Sequence, residues 1–227
     1  MSIVDSLVSL VGDRVFSIIL MTLYVSLSST AISSLLGVPA GAYLGLHRYR
    51  FTRLVKTFTH TLYGLPPVVA GLLVYILLSR AGPLGSLGLL FTPTSMIIVQ
   101  TVLVTPLVIG ITASAVSELD MSVIDTARSL GASDLDVTKT IIHEARIGVF
   151  TAVMVGFGRA ISEVGGVILV GGNIKWFTQV LTTSIVLETQ MGNFQFALAL
   201  GGILMVLALA TSILLTRLQA GQPMAWR

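Results

Sequence analysis

Two charged residues lie inside an otherwise apolar segment of this 227-residue chain. Arg159 and Glu163 interrupt the run 147–171, whose other members are nearly all aliphatic residues, phenylalanine, alanine or glycine. A lone charge at the centre of a bilayer costs about 2.5–3.5 kcal/mol on insertion scales. In a helix, residues four positions apart lie on the same face, so the two side chains can meet. The sequence therefore predicts an intramembrane pair, with Ser162 beside it.

Two roles are open for this pair. In the structural one, Arg159 and Glu163 hold their helix against a neighbouring helix, and a transported ion never touches them. In the functional one, Arg159 supplies positive potential to the path of an oxyanion, and Glu163 holds the guanidinium in place. Both roles require that the charges face protein or a water-filled cavity rather than lipid.

A pair of prolines, Pro66 and Pro67, interrupts the apolar interval 57–79. Each proline lacks a backbone N–H and prevents a straight helix. Carbonyl groups that lose their partners at such a break need new ones from protein or water. The break serves either as a packing kink or as part of the lining of a transport path.

The polar stretch 117–146 contains six acidic and three basic residues. Ser122 can cap a short helix, apolar residues then recur on one face as far as Leu130, and Gly131 can end the helix in a left-handed conformation. A helix this short is marginal alone in water. It fits a groove on another protein, and the alternative is a simple connector that lies at the surface.

The sequence lacks the residue clusters and motifs that usually support catalysis or metal binding. There are no cysteines, and the three histidines, His47, His60 and His143, are far apart in the sequence. The sequence has no P-loop, no paired-histidine metal motif and no Gly-x-Ser-x-Gly elbow, which are common signatures of nucleotide, metal and nucleophile sites. We therefore expect no catalytic residue, no metal site and no nucleic-acid partner.

The scarcity of charges identifies the elements that position these residues. With 13 lysine and arginine and 10 aspartate and glutamate residues, only 10% of the chain is charged, whereas soluble domains have about 25%. A helix needs roughly 20 apolar residues to cross ~30 Å of hydrocarbon. The pattern predicts an all-α integral membrane protein with one transmembrane domain over residues 1–227. Its five expected spans are 16–44, 57–79, 94–116, 147–171 and 194–216.

The placement of lysine and arginine predicts the orientation. Nine of these cations fall in the loop 47–56, the stretch 117–146 or the C-terminal tail, and three fall on the other side. Cytoplasmic loops carry the excess of lysine and arginine. The C-terminus is therefore expected in the cytoplasm, whereas the N-terminus and the loop 172–193 are expected outside.

The segment Asp125–Gly131, Asp-Thr-Ala-Arg-Ser-Leu-Gly, resembles the signature of ABC-importer permeases, Glu-Ala-Ala followed after three residues by glycine. Asp125 replaces the glutamate, Thr126 replaces an alanine, and His143-Glu144 replaces the usual Leu-Pro further on. In this family the segment is the coupling helix that docks on the ATP-hydrolysing subunit. The resemblance therefore assigns ATPase coupling to Asp125, Ala127, Arg128, Leu130 and Gly131.

Further segments resemble the oxyanion branch of that family. Residues 65–71, Leu-Pro-Pro-Val-Val-Ala-Gly, are similar to a motif of molybdate and tungstate permeases. Residues 158–165 are similar to their Arg-Ala-x-x-Glu-x-Gly. Residues 142–146 and 181–189 resemble segments of tungstate permeases in particular.

The resemblance implies a type I ABC-importer-like permease with about five transmembrane helices and a short cytoplasmic coupling helix. It implies a second copy of this chain, two separate ATPase subunits that use ATP and Mg²⁺, and an extracytoplasmic substrate-binding protein. The expected substrate is tungstate, with molybdate and sulfate as alternatives, and the expected location is a bacterial or archaeal inner membrane. The competing class is a self-contained secondary transporter, for which Glu163 is the only acid in the expected spans.

Overall fold

A computed structural model of the chain describes residues 3–47, 50–120, 122, 129–131 and 133–220. Every regular element among these residues is a helix, so the expected all-α fold is confirmed. The elements are α1 (Ile3–Leu46), α2 (Arg50–Tyr63), α3 (Pro67–Leu78), a 3-10 helix (Gly85–Leu87), α4 (Pro93–Ser117), α5 (Asp134–Glu144), α6 (Arg146–Ile161), α7 (Gly165–Gly171), α8 (Leu181–Gln190) and α9 (Phe194–Ala220).

Three helices are long and apolar enough to cross a membrane. They are Gly12–Leu46 of α1, Pro93–Ser117 of α4 and Phe194–Leu214 of α9. These segments coincide with the first, third and fifth expected spans. Uninterrupted apolar sequence explains the agreement, because a helix satisfies its own backbone groups in lipid.

The second expected span, 57–79, is not one continuous helix. α2 ends at Tyr63 and α3 begins at Pro67, after Pro66 in an extended conformation with φ −60° and ψ 127°. A proline has no N–H to donate and favours the extended region for the residue before it. The break expected at the proline pair is therefore present. The 12 residues of α3 are about 18 Å long, which is shorter than the hydrocarbon core.

The fourth expected span, 147–171, is also broken, and this result corrects the sequence analysis. α6 ends at Ile161, and α7 begins only at Gly165. Glu163 therefore does not continue the helix of Arg159, so the continuous helix expected here is wrong. The pairing of the two side chains stays a prediction. Side chains from distant parts of the chain satisfy backbone groups at the break.

Two stretches between the expected spans contain helices that were not predicted. In the stretch 117–146, Ser133 begins α5 with a capping box: its Oγ accepts from the N–H of Asp136 at 3.3 Å, and Asp136 Oδ2 accepts from the N–H of Ser133 at 3.4 Å. This arrangement satisfies donors that a helix start leaves free. The other stretch, 172–193, contains α8.

Among the described residues, the first of two compact units comprises segments 3–29, 66–100 and 160–213. Its core includes a cluster in which α1, α8 and α9 meet. The fully buried members of this cluster, at most 2% exposed, are Ile18, Leu181 and Leu200. The cluster holds α8 against α1 and α9.

The second unit comprises the described parts of segments 30–65, 101–159 and 214–220. The apolar face of α5 packs there against α1 and α4. The buried members of this cluster are Ala42, Val116, Val137, Ile141 and Ala145. The chain turns by 73° between α5 and the helix that follows it, α6.

Candidate functional site

The break between α6 and α7 is held by Glu163, which is only 3% exposed. Its Oε1 atom accepts a hydrogen bond from the backbone N–H of Gly166 at 2.9 Å. Its carbonyl oxygen accepts a hydrogen bond from the Thr182 hydroxyl on α8 at 2.7 Å. The first N–H groups of a helix lack partners within that helix. Glu163 therefore caps α7 and ties the break to α8.

The end of α6 is satisfied by Gln100, a buried residue of α4. Its Nε2 atom donates to the carbonyl oxygen of Ala160 at 3.0 Å, and the same oxygen accepts from the N–H of Glu163 at 3.2 Å. The Ser29 hydroxyl on α1 donates to Gln100 Oε1 at 2.7 Å. Non-helical backbone at membrane depth needs such partners, or a water-filled cavity. Three further helices, α1, α4 and α8, thus contribute side chains to the hydrogen bonds at the break between α6 and α7.

Pro67 lies close to the same break, next to Gly166. A Cβ atom on Gly166 would lie 3.0 Å from the carbonyl oxygen of Pro67 and 3.6 Å from Glu163 Oε1. A Cβ atom on Gly71 would lie 2.7 Å from the Cα atom of Gly166. The first turns of α3 and α7 therefore pack with their backbones in contact, which glycine permits. The structure brings Pro67 and Glu163 together around one glycine.

Three other residues predicted for this region have different surroundings. Arg159 is half-buried in the last turn of α6, where the helix dipole favours a positive charge. Ser162 is exposed in the turn after α6, and Pro66 is exposed immediately before α3. Their assignment to a transport path stays a prediction.

The predicted coupling segment is only partly described. Asp125, Ala127 and Arg128 lie outside the described residues. Leu130 is 83% exposed, and Gly131 has a φ of 83°. This φ is in the left-handed region that suits glycine and commonly ends a helix. The backbone prediction for Gly131 is therefore confirmed, and the surface position of Leu130 leaves it free to contact another protein.

Upstream of the coupling segment, Asp120 and Ser122 form a hydrogen-bonded turn. The backbone N–H of Ser122 donates to Asp120 Oδ1 at 3.0 Å. This hydrogen bond stabilises the charged carboxylate and lowers the pKa of Asp120 from its usual value. The carboxylate is therefore retained at neutral pH.

An ion pair that the sequence analysis missed joins α1 to α8. Arg14 Nη2 lies 2.7 Å from Glu188 Oε1, and the Glu188 side chain is 2% exposed. The other carboxylate oxygen accepts from Asn193 Nδ2 at 2.9 Å, and the guanidinium lies 5.6 Å from the Phe196 ring centroid. Glu188 was expected in an exposed outer loop. Its partner is 174 residues away, so no local pattern could indicate the pair.

Sequence reasoning did not select Ser29, Gln100 or Thr182, whose hydrogen bonds hold the break between α6 and α7. It also did not select Arg14 and Glu188, whose ion pair joins α1 to α8. Among the residues that the structure describes, no group of three or more histidine, aspartate or glutamate side chains could hold a metal ion. The arrangement can fix the geometry of the breaks and can border a polar path.

Comparison with known proteins identifies the family. Residues 37–221 match the family described as binding-protein-dependent transport system inner membrane component. The chain is 41% identical over 206 residues to the tungstate uptake system permease protein TupB of Peptoclostridium acidaminophilum, covering 91% of this chain and 90% of that protein. It is 40% identical over 212 residues to a probable anion ABC transporter permease protein of Haloferax volcanii, covering 91% of each. The sulfate transport system permease protein CysW of Synechocystis is 27% identical over 221 residues, covering 93% of this chain and 79% of that protein.

A solved structure has the same fold. It is a crystal structure of an amino acid ABC transporter with histidines, and it matches with a TM-score of 0.69 over 98% of this chain and 100% of that chain. The two sequences are 19% identical, so this likeness concerns the fold. It confirms the expected ABC-importer-like helical fold, and the family and relatives confirm the resemblance to oxyanion permeases. The chain belongs to the binding-protein-dependent transport system inner membrane components, a family of transport subunits rather than catalysts.

Proposed function

We propose that this chain is the permease subunit of an ATP-driven importer that moves tungstate into the cytoplasm. The observation that carries the proposal is the identity of 41% with a tungstate uptake permease across 91% of the chain. The sulfate permease of Synechocystis is 27% identical, which makes sulfate a weaker candidate. Molybdate, another tetrahedral oxyanion, is the second candidate substrate.

Two copies of the chain form the transport path in this proposal. The described residues contain three helices long enough to span a membrane. The number of spans rises to at most five if α2 with α3, and α5 with α6, each count as one bent span. So few helices do not enclose a path by themselves. A second copy supplies the other half, and the anion crosses at the interface between the copies.

Two separate ATPase subunits supply the energy. ATP and Mg²⁺ bind to those subunits, and this chain receives the motion through the segment from Asp125 to Gly131. The exposed side chain of Leu130 supports this role, because an apolar residue that is 83% exposed is available for a groove on a partner. Closure of the ATPases then switches the permease between inward-facing and outward-facing states.

The cation distribution orients the permease. The loop 47–56, the coupling segment and the C-terminus face the cytoplasm, and the N-terminus faces outward. The segment 172–193 then lies on the outer side, where the substrate-binding protein delivers the anion. The bilayer is that of a bacterial or archaeal inner membrane.

The two adjacent helix breaks border the path in this proposal. Pro67 and Glu163 meet around Gly166, and non-helical backbone at membrane depth is characteristic of positions that line a cavity. Glu163 acts there as a positioning residue, since its carboxylate accepts from the N–H of Gly166. Arg159 supplies positive potential toward the anion.

The proposal is tested by transport in reconstituted vesicles. Proteoliposomes that contain the permease, its ATPase and the binding protein should accumulate tungstate when ATP is present, and should accumulate less molybdate and sulfate. Uptake that needs an ion gradient but neither ATP nor the binding protein would instead identify a secondary transporter.

A variant separates the two roles of Arg159. If the guanidinium attracts the anion, Arg159→Ala should abolish uptake, whereas Arg159→Lys should retain part of it because the charge remains. Membrane yield of both variants should stay near that of the wild type. Normal uptake by Arg159→Ala would exclude the pathway role, and a loss of folded protein would indicate the structural one.

A further inference from the structure

The helix α2 is amphipathic and basic. Arg53 and Lys56, three positions apart, lie on one side of the helix, and Leu54 and Phe58, four positions apart, lie on roughly the opposite side. Two more cations, Arg48 and Arg50, stand just before the helix and at its first position. The sequence from 14 to 117 contains no aspartate or glutamate. No acidic residue nearby in the sequence therefore offsets these positive charges.

The apolar side of α2 is exposed. The leucine, Leu54, is 69% exposed, and the aromatic residue one turn later, Phe58, is 65% exposed. Thr61 is also exposed, and its hydroxyl donates to the carbonyl oxygen of Thr57 at 3.0 Å. The hydroxyl thus finds an acceptor within its own helix. This side of α2 can therefore enter an apolar environment without leaving that hydroxyl unpaired.

A different side of α2 packs on the protein. Thr59 is only 6% exposed, and Tyr63 follows it by one turn on the same side. A Cβ atom on Gly110 of α4 would overlap the Tyr63 hydroxyl, so glycine is what allows the ring to lie on the backbone of α4. This contact holds α2 in place and leaves Leu54 and Phe58 outside the contact.

The length and the charges of α2 are unsuitable for crossing a bilayer. Its 14 residues are about 21 Å long, whereas the hydrocarbon core is about 30 Å thick. Cations inside hydrocarbon are costly, and three of the first seven residues of α2 are arginine or lysine. A basic helix with an apolar side is instead typical of helices that lie in the plane of a membrane surface.

We propose that α2 lies in the cytoplasmic surface of the bilayer and binds the headgroups of anionic phospholipids there. Leu54 and Phe58 enter the boundary of the acyl chains. The positive charges of the segment 48–56 attract lipid phosphates, as basic clusters on amphipathic helices do. The inference takes the side of the membrane from the proposed function, and it is independent of which anion is transported.

Charge complementarity favours lipid over a protein as the partner of this surface. A second copy of the chain or an ATPase subunit could also cover Leu54 and Phe58. Four cations without a neighbouring acid match a continuous layer of phosphates, which carries one sign of charge along the whole length of the helix. A protein partner is therefore an outcome of the test rather than the proposal.

The depth of α2 in the membrane is measured with fluorescent labels. The chain has no cysteine, so Leu54→Cys, Phe58→Cys or Thr61→Cys each gives one site for a bimane label. The permease with its ATPase is placed in nanodiscs whose lipids carry bromine at the middle or at the end of the acyl chain. The three labels should be quenched equally, and more strongly by the shallower bromine. Leu130→Cys, at a residue that is 83% exposed in the coupling segment, should not be quenched.

A transmembrane α2 would give a different depth profile. The labels at 54 and 61 are seven residues apart, which is about 10 Å along a helix. Quenching by the deeper bromine that rises from position 54 to position 61 would therefore overturn the proposal. Absence of quenching at both 54 and 58 would show that a protein covers this side of α2, and it would also overturn the proposal.

Lipid selectivity is measured at the label on position 58. Phosphatidylglycerol and phosphatidylcholine are mixed, and each in turn is the brominated component, so that their relative affinities follow from the quenching. We expect phosphatidylglycerol to be preferred by about tenfold or more. Arg53→Gln should lower this preference by up to about fivefold, since each cation near an anionic surface contributes a factor of about that size. The double variant, Arg53→Gln with Lys56→Gln, should bring the ratio close to one.

Lys139→Gln is the matched control, because Lys139 lies on the same predicted side of the membrane and its side chain is 79% exposed. This variant should keep the preference for phosphatidylglycerol. A wild-type ratio near one, or an equal loss in Lys139→Gln and Arg53→Gln, would overturn headgroup binding by α2. The single variant keeps the test decisive if the double variant does not fold. Transport is not measured here, so either failure leaves the proposed importer intact.

Discussion

Glu163 caps the helix that follows it: its Oε1 atom accepts a hydrogen bond from the backbone N–H of Gly166 at 2.9 Å. The same glycine touches the carbonyl oxygen of Pro67, because a Cβ atom at Gly166 would lie 3.0 Å from that oxygen. Two helix breaks that are distant in sequence thus share one contact. The Glu163 carboxylate holds a break between two helices and does not continue a helix.

Removal of the Glu163 carboxylate should therefore loosen the break. Glu163→Ala leaves the N–H of Gly166 buried without a partner, which costs about 1–3 kcal/mol, and it should lower both the Tm and tungstate uptake. Glu163→Gln keeps an acceptor oxygen and should retain most of both. The Tm is measured on the purified permease, and uptake is measured in proteoliposomes. The exposed Glu144, changed to alanine, serves as a control.

Equal losses in Glu163→Gln and Glu163→Ala would contradict the capping role, because the acceptor would then be irrelevant. That pattern would indicate that the negative charge itself is required. It would favour an ion pair as the function of Glu163.

Glycine substitutions test the contact between α3 and α7. Gly71→Ala should reduce folded yield and uptake strongly, because its Cβ would lie 2.7 Å from the Cα atom of Gly166 and backbone cannot move aside easily. Gly201→Ala in α9 is the matched control, since no atom lies within 4 Å of its Cβ. That control should be neutral or stabilising by up to about 1 kcal/mol.

The contact is tested by measuring membrane yield and uptake for both alanine variants. If Gly71→Ala matched Gly201→Ala in both, the close approach of the two helices would be absent in the functional protein.

The sequence predicts α4 and α9 well because their apolar runs are long and satisfy their own hydrogen bonds. It does not predict the break at Glu163, because the groups that satisfy that break, Gln100 and Thr182, come from remote parts of the chain. The polar residues of α8 suggested an exposed loop. Thr182 and Glu188 are instead buried, because their partners come from remote parts of the chain. α5, by contrast, has a local signal in the sequence, because Ser133 and Asp136 have the spacing of a capping box.

Removal of one partner of the Arg14–Glu188 pair should destabilise the protein more than removal of both. Glu188→Leu leaves the guanidinium of Arg14, whose side chain is 20% exposed, without its partner, and loss of one partner of a buried pair costs about 3–5 kcal/mol. The double variant, Arg14→Met with Glu188→Leu, should recover much of the loss because both charges are removed. Thermal unfolding of the four proteins in this cycle measures the coupling. Additive effects of the two single changes would show that the residues do not interact.

Gly131 should tolerate asparagine but not valine. Its φ of 83° is in the left-handed region, which asparagine adopts far more readily than a β-branched residue. If the segment couples transport to ATP hydrolysis, Gly131→Val should lower uptake or ATPase association several-fold, and Gly131→Asn should stay close to the wild type. ATPase co-purification and uptake are measured together. Normal values for Gly131→Val would count against the coupling assignment.

The most direct test of the central proposal is ATP-dependent uptake by the purified transporter in proteoliposomes, with the binding protein and tungstate, molybdate or sulfate supplied separately. We predict accumulation of tungstate that requires ATP, the ATPase and the binding protein, and that exceeds accumulation of the other two anions. Accumulation of tungstate by the permease alone under an ion gradient, or ATP-dependent uptake of sulfate without tungstate, would contradict it.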